Sequence, residues 1–395
     1  MELQIKISET MDKESEWNEY YEHRIIRIPE VARHKYDFRI NDFLYLRDKW
    51  GQLITLQIAE AFKEDLVRSP LCGYVTKSNF DRLFLKNQES GEVSPVTGIT
   101  LGCDPEAFLV DRITGHVVAA HRFMRKYGEV GHDGMLLEFR PQPSTSEDIV
   151  TANIASLIQR ARMMLNQKQE GNRINMIGAS SAMGLTAGFH LHYGLPRGLL
   201  GKRAGLPVVA ALMTKAFDYY IGVPSIIPEG NEDHSRRTMA FVEYGKPGGY
   251  RLDNRTFEYR LPGGINLRHP CLTRGLMALG AVVVEDLVSR IQTSTDFFSN
   301  LKEVATDEDL KALYPRLPAM ETLYAIICNP SIDPAKTHFQ GIKNDVRQMI
   351  GYSQRASAVE SYFACLDQGI QYDTNLETNW GGFSNEEQQK QMVFL

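Results

Sequence analysis

Three short segments of this chain carry two ionisable residues at positions i and i+2, set among apolar residues. They are Asp104 and Glu106 in GCDPEAF, His190 and His192 in GFHLHYG, and Glu258 and Arg260 in TFEYRLP. A fourth segment, MLLEFRP, adds Glu138. Side chains two apart on a strand project to the same face. As strands of one sheet, these segments would gather carboxylates, imidazoles and a guanidinium on one surface. Phe189, Leu191, Phe257 and Tyr259 would then face a packed core. Burying so many charges without partners is costly, and bound metal and phosphate would remove the penalty. Hard oxygen donors with an occasional imidazole suit Mg²⁺ or Mn²⁺ better than structural zinc.

Each pair alone has an ordinary reading. Asp-Pro is usually a turn, HxH a surface or hydrogen-bonded pair, and ExR a cross-strand salt bridge. Pro105 also argues against a central strand and for an edge or a bulge. The recurrence within one region carries the signal.

That region spans about residues 99–292. Strand-like runs come in clusters (ITLGCDPEAFLV, GHVVAA, GMLLEFRP, then INMIG and AGFHLHYGL), separated by amphipathic helices. One helix has Ser144 and Glu147 at capping-box spacing, with Ile154, Leu157, Ile158, Ala161 and Leu165 on one face. A second covers about 206–221, through Leu206, Val209, Met213, Phe217 and Tyr220. A third covers about 271–291, through Leu272, Leu276, Leu279, Val283 and Leu287. Clustered strands favour an α+β fold: a largely antiparallel sheet with helices packed on one face.

The flanks carry less chemistry. Residues 1–98 read as an N-terminal extension or small domain, with a helical spacing at Leu53, Ile58, Ala61 and Phe62 and a linker over Asn87–Gly98. Residues 293–395 read as mostly helical, with a cap at Thr306–Asp309, a stop at Gly369, and a polar tail as an extended or partly disordered arm. A length of 395 residues allows two or three such domains.

Composition excludes several classes. The net charge is −5 and no strongly basic stretch occurs, so nucleic acid is not an expected partner. No apolar run reaches the roughly 18 residues of a membrane span. The five cysteines form no CxxC pair, and the N-terminus is charged too early for a signal peptide. A cytoplasmic protein is expected. There is no nucleophile elbow and no P-loop.

A second, basic group lies just before the ExR strand. Arg236 and Arg237 follow a polar loop, Lys246 lies in the glycine-rich YGKPGGYR that ends at Arg251, and Arg255 comes next. Guanidinium groups bind phosphate oxygens bidentately and glycines let backbone approach a ligand, so this group reads as phosphate-binding.

Taken in order, GCDPEAFLVD, HDGMLLEFRPQP, GFHLHYG, RR…YGKPGGYR and FEYRLPGG resemble the phage-type carboxylate–amine (COOH–NH2) ligases of type 2, in the glutamine synthetase and glutamate–cysteine ligase fold superfamily. The resemblance covers about residues 99–270. It implies a curved antiparallel sheet whose concave face holds two or three Mg²⁺ ions, with helices on the convex face. It implies ATP as cosubstrate, an acyl phosphate, and attack by an amine. Glu106, Glu138, His190 and Glu258 correspond to metal ligands, with Asp104 as a further one. Arg260 resembles the arginine that steadies the transferred phosphate. Arg236, Arg237, Lys246 and Arg251 correspond to nucleotide or phosphate contacts, and His192 to a cofactor or substrate contact. Arg260, Arg251 and Glu138 are the expected catalytic groups. The carboxylate and amine are small molecules or peptides, and a homo-oligomer fits a fold whose sites sometimes lie between subunits. Two other readings stay open: a metal-dependent hydrolase, and a catalytically silent, ligase-derived phage protein.

Overall fold

The computed structural model describes residues 3–7, 25–36, 38–40, 43–47, 53–61, 71–84, 90–93, 99–195, 206–229, 233–239, 244–253, 256–293 and 313–381. The chain divides into two compact units, one built on Met1–Gly98 and one on Ile99–Pro141 and Ser146–Phe394.

The first unit holds a six-stranded mixed sheet in the order β3-β4-β2-β5-β1-β6. Its strands are β1 (Leu3–Ile7), β2 (Ile25–Arg27), β3 (Phe43–Arg47), β4 (Leu53–Ala59), β5 (Gly73–Val75) and β6 (Ser90–Val93). β1 runs parallel to β5, and β2 to β4. The start of the helix expected over residues 53–67 is therefore a strand, and residues 62–67 lie outside the described residues. Ile54, Leu56 and Ile58 are buried at a period of two, and β-branched residues fit a pleated surface. The expected linker over Asn87–Gly98 likewise contains β6, which pairs with β1.

The second unit is built on an eight-stranded sheet. Its main path is β15-β16-β14-β7-β10-β9, with β11 and β8 both paired to β7. β7 (Thr100–Asp111) is the long central strand; the others are β8 (Val117–Val118), β9 (Val130–Asp133), β10 (Leu136–Phe139), β11 (Ile174–Ile177), β14 (Phe189–Gly194), β15 (Tyr250–Asp253) and β16 (Thr256–Tyr259). Every described pairing in it is antiparallel. β12 (Ser181–Ala182) and β13 (Leu185–Thr186) form a small separate hairpin.

Pro105 thus sits in a central strand. The Glu106 N–H is donated to Gly188 on the β14 side. Successive strand amides point to opposite sides, so the Pro105 nitrogen faces the β10 side. The β10 register has already ended there, at Glu138 opposite Glu106. No ladder bond is lost.

One face of this sheet is dry. Leu101, Cys103, Ala107, Leu109, Leu137, Phe139, Phe189, Leu191, Tyr193, Phe257 and Tyr259 join a single core with the helices. Those helices include α1 (Glu147–Asn166), α2 (Leu206–Phe217) and α3 (Pro270–Thr293). Ile154, Leu157, Ile158, Ala161 and Leu165 of α1 are buried, as are Leu272, Leu276, Leu279, Val283 and Leu287 of α3. The N-cap of α1 is Ser146, so Ser144 lies too early for the expected capping box. α2 runs into a π-helical turn, Asp218–Gly222.

Further helices follow at Met320–Ile327, Asp333–Val346 and Tyr352–Gln368; the last ends on Gly369 at φ 61°. The expected cap at Thr306–Asp309 lies outside the described residues. The start of the tail is no arm. Leu376–Trp380 is a short helix, Trp380 is buried, and its indole N–H is donated to Leu267 O at 2.9 Å.

Candidate active site

The polar residues all fall on the face of the large sheet opposite its helix-packed side, because each alternates with a core residue along its strand. Register then aligns them across strands. Arg251 of β15 stands opposite Glu258 of β16, and Glu258 opposite His192 of β14. His190 stands opposite Asp104 of β7, and Glu106 opposite Glu138 of β10. The result is a diagonal row of ionisable groups across five strands.

The centre of the row is tight. Asp104 Oδ1 lies 3.0 Å from His192 Nε2 and 3.3 Å from His190 Nδ1. Glu258 Oε1 lies 3.7 Å from His190 Nδ1 and 3.1 Å from Arg260 Nε, and Glu258 Oε2 lies 2.6 Å from Arg251 Nη2. Asp104, His192 and Glu258 each offer a ligand atom, all within 4.8 Å of one another. Yet Asp104 Oδ1, His192 Nε2, Glu258 Oε1 and Arg260 Nε are buried without a hydrogen-bond partner. These atoms are close enough to feel one another's charge but do not line up as donors and acceptors. Orphaned buried groups of this kind are expensive. Two carboxylates and an imidazole converging with lone pairs to spare are what a divalent cation would satisfy, so the donor set fits a metal.

The electrostatics follow from this crowding. Burial alone would raise the Asp104 carboxyl, but the imidazoles of His192 and His190 pull it well below the usual carboxylate range. His192 moves the other way: burial lowers it, and Asp104 and Glu258 more than offset that. Burial pushes the Glu106 carboxyl up, against the pull of His190, the Gly188 N–H and Arg236. That N–H reaches Glu106 Oε2 at 2.6 Å. A Cβ at Gly188 would lie 2.5 Å from His190 Nε2 and 2.9 Å from Arg236 Nη2, so a larger residue would displace these side chains.

The remaining expected residues spread further. Glu106 and Glu138 lie on the β7–β10 side of the row. Glu138 is ion-paired with Arg140, which also donates to Gly128 O. Arg236 is buried and donates to Leu261 O at 2.5 Å and Arg260 O at 2.9 Å, so it braces the backbone beside Arg260. Burial lowers its guanidinium to about 10. Arg237 does not belong to the site. It is fully buried, bonded through Nε to Glu229 Oε2 at 2.6 Å and through its terminal nitrogens to the carbonyls of Ile327, Asn329 and Pro330. A guanidinium so engaged has no fork left for a phosphate, which corrects the expected contact. Lys246 lies in a described loop between Gly245 and Gly248, both at positive φ. Arg255 lies outside the described residues.

Sequence reasoning passed over Arg140 and Tyr244. The first stands two residues after Glu138, the same spacing that marked Glu258 and Arg260. The second lays its ring 4.0 Å from the Arg260 guanidinium and 6.3 Å from the His190 ring. Nothing in its local sequence marks that contact.

Residues 101–321 match the profile of the phage phiEco32-like COOH.NH2 ligase-type 2 family. The chain belongs to this family. The match spans more than half the sequence and includes every residue of the row. The family is one of carboxylate–amine ligases. Among solved structures, a bifunctional glutathione synthetase from Pasteurella multocida is similar at 10% identity and a TM-score of 0.40, over 72% of this chain and 49% of its own. This chain thus spans about half that protein's length. A novel glutamine synthase homolog is similar at 13% identity and a TM-score of 0.28, over 67% of this chain and 71% of its own. No curated protein matches the sequence. Among the described residues no helix is long and apolar enough to cross a membrane.

Proposed function

We propose that this ligase uses ATP and Mg²⁺, or Mn²⁺, to join a carboxylate to an amine through an acyl phosphate. One observation carries the reading: buried, partnerless oxygen and nitrogen atoms of Asp104, His192 and Glu258 converge on one sheet face beside two guanidiniums. Asp104, His192 and Glu258 would hold one cation. His190, Glu106 and Glu138 continue the same row and would extend the site to a second. Divalent cations, when bound, would neutralise the anionic oxygens that must approach one another.

The chain's own groups do the rest. A carboxylate becomes a usable electrophile only once an oxygen leaves easily. The γ-phosphoryl group therefore passes to a carboxylate oxygen and ADP departs. The amine lone pair then attacks the acyl carbon, and the C–O bond breaks with its electrons leaving on phosphate. Transfer between anions needs fixed positive charge more than covalent help. Arg260 and Arg251 supply it, held on either side of Glu258. Tyr244 and Arg236 fix Arg260 through its guanidinium and its carbonyl. Lys246 brings a further cation on a glycine-rich loop. Five thiols, all free, suit a reducing cytoplasm, the host's if the chain is phage-encoded.

The test is a screen of carboxylate and amine mixtures with Mg-ATP, read as ADP release and product mass. ADP release that needs both substrates supports the reading. Metal-dependent hydrolysis with no need for ATP would move the same residues to a hydrolase. Failure of the folded protein to bind Mg-ATP would leave a silent, ligase-derived protein.

A further inference from the structure

Asp218 is a fully buried carboxylate that the chemistry above does not use. It opens the π-helical turn Asp218–Gly222, on the helix side of the sheet. Its two oxygens reach two different parts of the molecule. Oδ1 accepts the Tyr259 hydroxyl at 2.9 Å, and Oδ2 accepts the Gly248 N–H at 2.8 Å. No cation is among the groups that act on it.

Both partners lead to Arg260. Tyr259 precedes it in the chain and points to the core from β16. Gly248 belongs to the loop Tyr244–Gly249, which grips Arg260 at two points. Gly249 O accepts the Arg260 N–H at 3.0 Å, and the Tyr244 ring lies 4.0 Å from the guanidinium. The loop turns through Gly245 at φ 81° and Gly248 at φ 88°, conformations that glycine adopts without steric cost. Its anchors include the Gly249–Arg260 bond, the Tyr324 hydroxyl on Pro247 O at 3.2 Å, and Asp218 on Gly248. Of these, only Asp218 reaches the loop from a buried position. π-helical turns recur at functional sites, and this one delivers a side chain to the far side of β16.

We infer that Asp218 is a positioning residue: by holding the Gly248 N–H and the Tyr259 hydroxyl together, it fixes the 244–249 loop and so the aim of Arg260 at the transferred phosphate. The inference rests on the ligase reading for what Arg260 contacts, but the anchoring stands on geometry alone. An ionised carboxylate is an acceptor only and matches two donors. Burial pushes its carboxyl up to about 7, against the pull of the Tyr259 hydroxyl and the Gly248 N–H. A group kept under that handicap between two donors is better explained by what it holds than by packing.

The test uses the full chain, Mg-ATP titrated by calorimetry, and amide hydrogen exchange at Gly248. Asp218→Leu removes the acceptor at similar size. Asp218→Asn keeps an acceptor for Gly248, because its amide can donate to a rotated Tyr259 hydroxyl. Tyr314→Phe removes another buried tyrosine–aspartate bond, that to Asp286, as a control for stability alone. Asp218→Leu should weaken Mg-ATP about tenfold, the scale of one lost hydrogen bond, and speed Gly248 exchange. Asp218→Asn should stay within about threefold of wild type, and Tyr314→Phe should match it. Equal binding by Asp218→Leu and wild type, with unchanged Gly248 exchange, would overturn the inference. If wild type binds no Mg-ATP, the ligase reading fails, and Gly248 exchange alone decides the anchoring. Should Asp218→Leu not fold, Asp218→Ala replaces it, since it too removes the acceptor of Gly248: faster Gly248 exchange supports the inference and unchanged exchange refutes it.

Discussion

Replacing Arg237 by methionine separates a structural arginine from a phosphate-binding one. Arg237 is 1% exposed and Glu229 is 6% exposed. The guanidinium bonds Glu229 and the carbonyls of Ile327, Asn329 and Pro330. Methionine fills most of the volume but leaves a buried carboxylate and three carbonyls without donors. Breaking a buried pair from one side costs about 3–5 kcal/mol, against a total stability of roughly 5–15 kcal/mol. At about 2–4 °C per kcal/mol for a unit of this size, the melting temperature should fall by about 10 °C. The loss should depend on pH. Burial pushes the Glu229 carboxyl up and Arg237 opposes it, so removing Arg237 raises it further. An acid whose folded pKa is raised contributes stability at low pH that is lost as pH rises through that pKa. The deficit of Arg237→Met should therefore be smallest near pH 5 and largest near pH 8, and Glu229→Gln in the same background should recover part of it. Thermal melts across that range measure this. A variant that melts with wild type at every pH, yet binds Mg-ATP far more weakly, would refute the structural assignment and restore Arg237 to the phosphate site.

Glu258→Ala should lower turnover more than about a hundredfold while the chain still folds, since it removes a buried ligand atom from the polar face of the sheet and leaves the apolar face packed; a variant of unchanged activity would sink the site. Arg260→Lys should cost about 10²–10³ in turnover, because an ammonium cannot replace a planar fork, and steady-state kinetics on the same substrates would show it. Asp218→Asn should be more stable than wild type by an amount that grows from pH 4 to pH 8 and then levels. The folded carboxyl is raised to about 7, roughly three units above an unfolded value near 3.9, worth at most about 4 kcal/mol; urea melts that show no such trend would contradict it. Gly280→Ala places a methyl 1.9 Å from the Tyr193 hydroxyl, which itself donates to Met277 O. It should destabilise by about 1–3 kcal/mol, measured by the same melts.

The site was legible because its chemistry is written at a period of two. Asp104 and Glu106, His190 and His192, and Glu258 and Arg260 alternate with core residues, so the strand direction and the face both follow from local sequence. The long helices were equally plain, their apolar faces being several turns deep. What failed was where two periods compete or where the partner is remote. Leu53, Ile58, Ala61 and Phe62 fit a helix, but burial at Ile54, Leu56 and Ile58 selects a strand. Pro105 looks like a strand breaker until the end of the β10 register is known. Arg237 sits beside Arg236 in sequence, and only the fold turns one toward Glu229 and the other toward Leu261. Trp380 packs on Leu267, more than a hundred residues away, so nothing local distinguishes its helix from a loose tail. Asp218 and Tyr244 act through Gly248 and Arg260, contacts that exist only once β16 and its loop are folded.

The most direct test of the central claim follows one oxygen atom. With a substrate pair that supports ADP release, the carboxylate is labelled with ¹⁸O and the released phosphate is examined by mass spectrometry. An acyl phosphate requires that one labelled oxygen leave on phosphate for each amide formed. Phosphate that carries no label while amide accumulates would contradict carboxylate activation on this sheet.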